Sequence, residues 1–347
     1  MAKTEKRIET VDMLRGFAAL AVCWFHLTDT NAIAGSGVLE KSGRYGWLGV
    51  EIFFVISGFI IPYALHRSSY TLRHFGRFLL KRITRLDPPY IVSIVIAIIV
   101  GYLETMAPHY QGPPFHPGII RTLLNLGYLN VLVGYPWLNT VYWTLAIEFQ
   151  YYLMIGLAFP LISSHRRVLR ILFFVLLSLL AFKITFPGFI FHFIFLFFMG
   201  IALFQHQAGI IKRREFFVLL PIFTLGAYLT LGLPPTIAGL AVVTAISRLR
   251  LRNRIFIFLG SISYSLYLFH PPVIKVIYTL GRRFATTDAR QTAVILMTLA
   301  ATIVSAYVLY LLIERPAQRW SAQFKYVVSP TVDLASEEHS NSATGSG

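Results

Sequence analysis

The chain has 347 residues, of which 56% are apolar and 13% charged, with a single cysteine and a formal net charge of +16. Such a composition excludes a soluble globular domain, because several apolar runs approach the ~20 residues that cross a bilayer. One cysteine excludes an intrachain disulfide and a cysteine-rich metal site. The basic residues sit in short clusters between apolar runs, a positive-inside pattern rather than a nucleic-acid surface.

The runs predict an all-α integral membrane protein with about ten transmembrane helices, at 13–30, 47–66, 89–107, 141–163, 168–186, 189–206, 215–232, 234–248, 256–281 and 290–313. The eighth is short and follows Pro234-Pro235. With a cytoplasmic N-terminus, the inner segments hold 22 Lys and Arg residues against seven outside. That asymmetry sets the orientation, with both termini cytoplasmic. Residues 67–87 interleave Arg and Lys with Leu72, Phe75, Phe78, Leu79, Ile83 and Leu86 and predict an amphipathic helix on the cytoplasmic interface. The Pro-, Gly- and aromatic-rich loop 107–140 lies outside. The reading divides the chain into a tail at 1–12, a membrane domain at 13–320 and a polar tail at 321–347, expected to be disordered. Ala32-Ile-Ala34 resembles a secretory cleavage site. Cleavage there would discard Arg15 and His26 and leave an odd number of spans, so the uncleaved reading is preferred.

Ionisable groups in hydrocarbon are expensive, so those within spans point to use. Arg15 and His26 lie eleven residues apart in the first run, on one helix face and ~16 Å apart along the axis. Rise per residue puts His26 roughly 20 Å from the inner edge of a ~30 Å core. Glu148 in the fourth span, His270 in the ninth and Glu51 and Ser57 in the second fall near the same depth. A carboxylate beside an imidazole orients it and raises its basicity. The imidazole then takes the proton of a hydroxyl as that hydroxyl attacks an acyl carbon. No strong nucleophile is evident, and Cys23 reads as packing, so direct attack by an acceptor hydroxyl is simpler than a covalent enzyme intermediate.

These residues carry a resemblance. Arg15, ten residues and His26 are similar to the first-span signature of the membrane acyltransferase-3 family, the bacterial O-acyltransferases of surface and exported polysaccharides. The likeness continues through Gly49-Val-Glu-Ile-Phe-Phe-Val-Ile-Ser-Gly-Phe59, Arg82-Ile-Thr-Arg85-Leu-Asp-Pro-Pro-Tyr90 and Trp143-Thr-Leu-Ala-Ile-Glu148. It extends to Tyr264-Ser-Leu-Tyr-Leu-Phe-His270 and Glu314-Arg-Pro316. The resemblance covers about residues 8–320 and implies a stand-alone member, without an esterase-like domain, in a bacterial inner membrane. It implies acetyl-CoA as donor, no tightly bound cofactor, and a carbohydrate acceptor, lipid-linked in the reading preferred here.

On that basis His26 is the expected general base and Glu148 its assistant. Arg15, Arg82 and Arg85 are the expected donor-phosphate ligands, since guanidinium groups suit phosphates. Glu51, Ser57, Trp143 and His270 are further substrate-site candidates, and no spacing suggests a metal site. Each has a plainer reading: Arg82 and Arg85 as positive-inside anchors, Trp143 as an aromatic-belt residue, Ser57-Gly58 as helix packing, Glu51 as a solvated carboxylate near the headgroups, and His270 as a cap before Pro271-Pro272, which are expected to end or kink the helix. A glycolipid flippase, or a membrane acyltransferase with a lipid or protein acceptor, is the competing function. A flippase would leave symmetry between halves and broken helices in matching positions, neither of which is visible.

Overall fold

The computed structural model describes residues 9–29, 37–107, 110, 112–249, 253–281, 284 and 286–325. Lys3, Lys6, Arg7, Arg250, Arg252, Arg282, Arg283, the Ala32-Ile-Ala34 segment and the tail from residue 326 lie outside them. The ten positions read from the sequence are occupied by helices: α1 (Glu9–Thr28), α2 (Gly49–Arg67), α3 (Phe75–Thr105), α4 (Tyr142–Ile162), α5 (Arg167–Lys183), α6 (Ile190–Gln207), α7 (Arg213–Leu231), α8 (Leu233–Arg248), the bent pair α9 (Arg254–Ser261) and α10 (Ser263–Gly281), and α11 (Asp288–Leu309). A π turn at Tyr310–Glu314 leads from α11 into α12 (Arg315–Ser321). Among the described residues seven helical segments are long and apolar enough to cross a membrane, and the bent pair makes an eighth. The remaining two, α5 and α8, have 17 and 16 residues.

Helix α6 is the centre of the bundle. Ile190 and every residue from Phe193 to Gln205 are buried, as expected of a helix apolar on all sides. It crosses α2 at a contact without side chains: a Cβ on Gly58 would meet the Phe197 carbonyl at 2.3 Å, and one on Gly200 the Val55 carbonyl at 2.2 Å. Small residues let membrane helices approach this closely. Gly58 is therefore a packing residue. Helix α5 has the opposite character, exposing Val168, Ile171, Leu172, Val175, Leu176 and Leu179 at three- and four-residue spacing. In a bilayer that stripe meets lipid.

Two expectations are corrected. The basic segment 67–87 is not a separate interfacial helix: after a short turn at Leu72–His74, α3 runs unbroken through Pro88 and Pro89 to Thr105. Just before these prolines the Tyr264 hydroxyl donates to the Leu86 carbonyl at 2.8 Å, tying α3 to a helix 178 residues away in sequence. Nor do Pro271-Pro272 end their helix. The break comes earlier, at Ile262, where α9 and α10 meet at 75°, and α10 continues through both prolines to Gly281. Pro272 cannot donate to the Leu268 carbonyl four residues back; Asn139 Nδ2 takes that carbonyl at 3.2 Å and Ser93 Oγ at 3.4 Å. Helix-breaking residues persist in membrane helices where side chains re-satisfy the freed backbone in this way.

Candidate active site

One face of α2 lines a cavity of about 490 Å³ with Val50, Phe53, Phe54, Ser57, Ile60, Ile61, Ala64 and Arg67. Their three- and four-residue spacing makes that face continuous. Val50 and Arg67 are ~26 Å apart along the helix at 1.5 Å per residue, most of a ~30 Å hydrocarbon core. The volume suits a small-molecule site.

The Arg67 end is polar. Arg15 comes from α1 and Arg82 and Arg85 from α3, three residues apart and hence on one face; Asp12, Glu148 and Glu314 share the wall. The Arg82 guanidinium lies over the rings of Phe78 and Tyr152, at 5.5 and 5.3 Å from their centroids. Its Nε is buried and meets no protein acceptor. A buried donor left unpaired is costly, so this fork is set for an acceptor within the cavity. Cation–π support on two rings holds it there.

The carboxylates have assigned partners. Glu148 accepts from Ser57 Oγ at 3.3 Å and from the Tyr152 hydroxyl, one turn along α4, at 2.5 Å. Glu314, at the end of the π turn, accepts from the Ser265 backbone N–H at 3.0 Å, from Ser265 Oγ at 2.6 Å and from Gln318 Nε2 at 2.8 Å. The π turn inserts the extra residue that aims Glu314 inward, as single-turn π segments do at functional sites. Sequence reasoning quoted Glu314 within a motif without giving it a role. Tyr152, Tyr267 and Arg67, which also line the cavity, have no role in the sequence either, and Tyr264 reads there as a helix contact. A carboxylate where an apolar run ends, and a tyrosine one turn after Glu148, were the available signals.

The two histidines sit together beyond the other end. Gly49 of α2 abuts the Ala18 carbonyl and Val22 of α1, and Gly46 abuts the Ala21 carbonyl and Phe25. His26 is thus about a turn past Val50. His270 Nε2 lies 3.4 Å from His26 Nδ1, with ring centroids 5.0 Å apart. The end wall between cavity and imidazoles is Phe53 and Tyr267, whose rings are 6.2 Å apart; Tyr267 is 5.9 Å from the His270 ring. Tyr267 is pinned through its hydroxyl to Thr144 Oγ1 at 2.6 Å.

The expected His26–Glu148 pair is therefore not formed. Among the described residues His26 bonds to the Val22 carbonyl and His270, while Glu148 bonds to Ser57 and Tyr152. The depth expectation fails with it: Glu148 is level with Ser57, seven residues down α2 from Val50, whereas His26 lies beyond Val50. Arg15, Arg82, Arg85, Ser57 and Glu148 are gathered on the cavity. Trp143 turns away from it and packs on Phe193, 5.6 Å between centroids. Glu51 is 5% exposed, and its Oε2 has no partner, so it is not a solvated headgroup residue. Cys23 is buried with Ala19, Leu27, Leu259 and Leu266. Among the described residues no three His, Cys, Asp or Glu side chains converge to hold a metal ion.

Residues 8–314 match the acyltransferase-3 family, described as an acyltransferase domain. The acyltransferase MdmB of Streptomyces mycarofaciens is 26% identical over 90% of this chain and 92% of its own. The peptidoglycan O-acetyltransferase OatA of Listeria monocytogenes is 28% identical over 44% of this chain and 24% of its own. The O-acetyltransferase OatA of Staphylococcus aureus is 28% identical over 50% and 29%. The chain thus spans nearly all of the first relative's length and under a third of the other two. No solved structure matches it. With a match over most of its length, the chain belongs to the acyltransferase-3 family, as a multi-pass membrane enzyme that transfers acyl groups.

Proposed function

We propose that the protein is an O-acyltransferase that takes an acetyl or short acyl group from acyl-CoA on the cytoplasmic side and passes it to a carbohydrate hydroxyl. The observation that carries this reading is the long cavity with arginines at one end and two imidazoles just past the other. Arg15, Arg82 and Arg85 suit the donor's phosphates. The pantetheine arm would run along α2, with Glu148 accepting from an arm amide and the thioester reaching the Phe53–Tyr267 end. That end wall would open to present the acyl carbon to His26. The polysaccharide acceptor is supported by the Listeria relative, a peptidoglycan O-acetyltransferase.

In the step itself His26 Nε2 takes the acceptor's hydroxyl proton as the oxygen attacks the thioester carbon. The C–S bond breaks with its electron pair leaving on sulfur, and the imidazolium returns the proton to the thiolate. The products are the ester and free coenzyme A, and no oxidant or metal enters the balance. General-base catalysis of this kind contributes about 10²–10⁴-fold. With purified protein in nanodiscs, labelled acetyl-CoA and an oligosaccharide acceptor, His26→Ala is expected to lower kcat by about that factor while the donor KM stays within about twofold. A variant that transfers at the parent rate would overturn the assignment.

A further inference from the structure

We infer that His270 is the positioning residue for His26: it selects the His26 tautomer and holds the ring so that Nε2 presents its lone pair. The inference rests on the acyl-transfer reading above for its purpose, and on hydrogen-bond geometry for its substance. His270 Nδ1 lies 3.1 Å from the Leu266 carbonyl. A carbonyl only accepts, so Nδ1 carries the hydrogen, and in a neutral ring Nε2 is left as an acceptor. That acceptor faces His26 Nδ1 at 3.4 Å, and the same His26 Nδ1 faces the Val22 carbonyl at 3.0 Å. Both neighbours of Nδ1 accept, so the hydrogen of His26 sits on Nδ1 and Nε2 is free.

The Val22 carbonyl is a weak guide by itself. It lies four residues before His26 in α1 and already takes the helical N–H of that residue. His270 brings a second acceptor from another helix, which fixes the ring's rotation as well as its proton. The supply of that acceptor is rigid. His270 is fully buried, and its turn is tied down by Asn139 and Ser93 on the Leu268 carbonyl. Beyond it, the Tyr278 hydroxyl donates to the Leu27 carbonyl at 2.7 Å, joining α10 to α1 one residue past His26. When His26 takes a proton, its Nδ1–H still points at the His270 lone pair, which stabilises the imidazolium. The carboxylate of a hydrolase triad does the same job; here a neutral imidazole takes its place.

Two substitutions test this. His270→Phe keeps a buried ring and removes the acceptor, whereas His270→Gln keeps a side-chain oxygen able to accept from His26 Nδ1–H. In the transfer assay His270→Phe should lower kcat about 30-fold or more with the donor KM within about twofold, and His270→Gln should recover most of that loss. Independently of activity, ¹⁵N spectra of histidine-labelled protein should show His26 Nε2 unprotonated in the parent and in His270→Gln, and a tautomer mixture in His270→Phe; the His26→Gln spectrum assigns the signals. Equal losses in both variants, or a His270→Phe protein with parent kcat and parent His26 shifts, would overturn the inference. If His26→Ala leaves transfer intact while the spectra behave as described, the general-base reading fails and the tautomer assignment stands.

Discussion

Glu314 and Ser265 join two helix ends that are 49 residues apart in the chain: one carboxylate oxygen takes both the backbone N–H and the hydroxyl of Ser265, at 3.0 and 2.6 Å. The contact fixes the first turn of α10, beside the break at Ile262, to the π turn after α11. It thereby sets the wall of the cavity that carries Tyr264 and Tyr267. Hydrogen bonds to a charged partner are worth about 1.5–3 kcal/mol each, and a buried donor left without a partner is penalised further. Glu314→Ala should therefore destabilise the protein by about 3 kcal/mol, with Glu314→Gln less damaging because an oxygen acceptor remains. Thermal unfolding in detergent measures both, and two variants of equal stability to the parent would show the clamp to be idle.

Removing an arginine from the polar end of the cavity should weaken donor binding without changing the chemistry. Arg85→Ala is expected to raise the KM for acetyl-CoA about tenfold, the equivalent of one charge-assisted hydrogen bond. Arg85→Lys should recover little, since a lysine cannot make a forked contact with phosphate. Steady-state kinetics at fixed acceptor decide between this and a role as a lipid anchor, for which the donor KM would not move.

The two partners of Glu148 should differ in weight. Tyr152 donates at 2.5 Å and Ser57 at 3.3 Å, so the tyrosine bond is the stronger. Tyr152→Phe keeps the ring under Arg82 but leaves Glu148 without its closer donor; the donor KM is expected to rise severalfold. Ser57→Ala should stay within about twofold of the parent. Measuring both in one assay checks the order.

Glycine substitutions separate contact from composition. A Cβ at Gly200 would meet the Val55 carbonyl at 2.2 Å, whereas one at Gly76 meets nothing within 4 Å. Gly200→Ala should force α2 and α6 apart at a cost of about 3 kcal/mol or more, with loss of folded protein on size exclusion. Gly76→Ala, in the first turn of α3, should stabilise by about 0.5 kcal/mol.

The sequence by itself determined that the chain crosses a membrane and where its helices lie, and it singled out Arg15, Arg82, Arg85, Ser57 and Glu148, which the fold gathers on one cavity. Those properties are local: an apolar run of sufficient length has to become a helix in lipid, and an Arg or His within it reports a use. Spacing along a single helix also follows from sequence, because the rise per residue is fixed. Partnership does not. Rise per residue reads His26 and Glu148 at one depth, yet the assembled helices set Glu148 beside Ser57 and Tyr152 and leave His26 beyond Val50, facing His270. The continuity of α10 through Pro271-Pro272 likewise rests on tertiary contacts. The Leu268 carbonyl freed by Pro272 is taken by Asn139 and Ser93, donors more than a hundred positions away. Only the assembled bundle brings such groups within hydrogen-bonding distance, and so only the tertiary structure decided that the His26 and His270 rings meet.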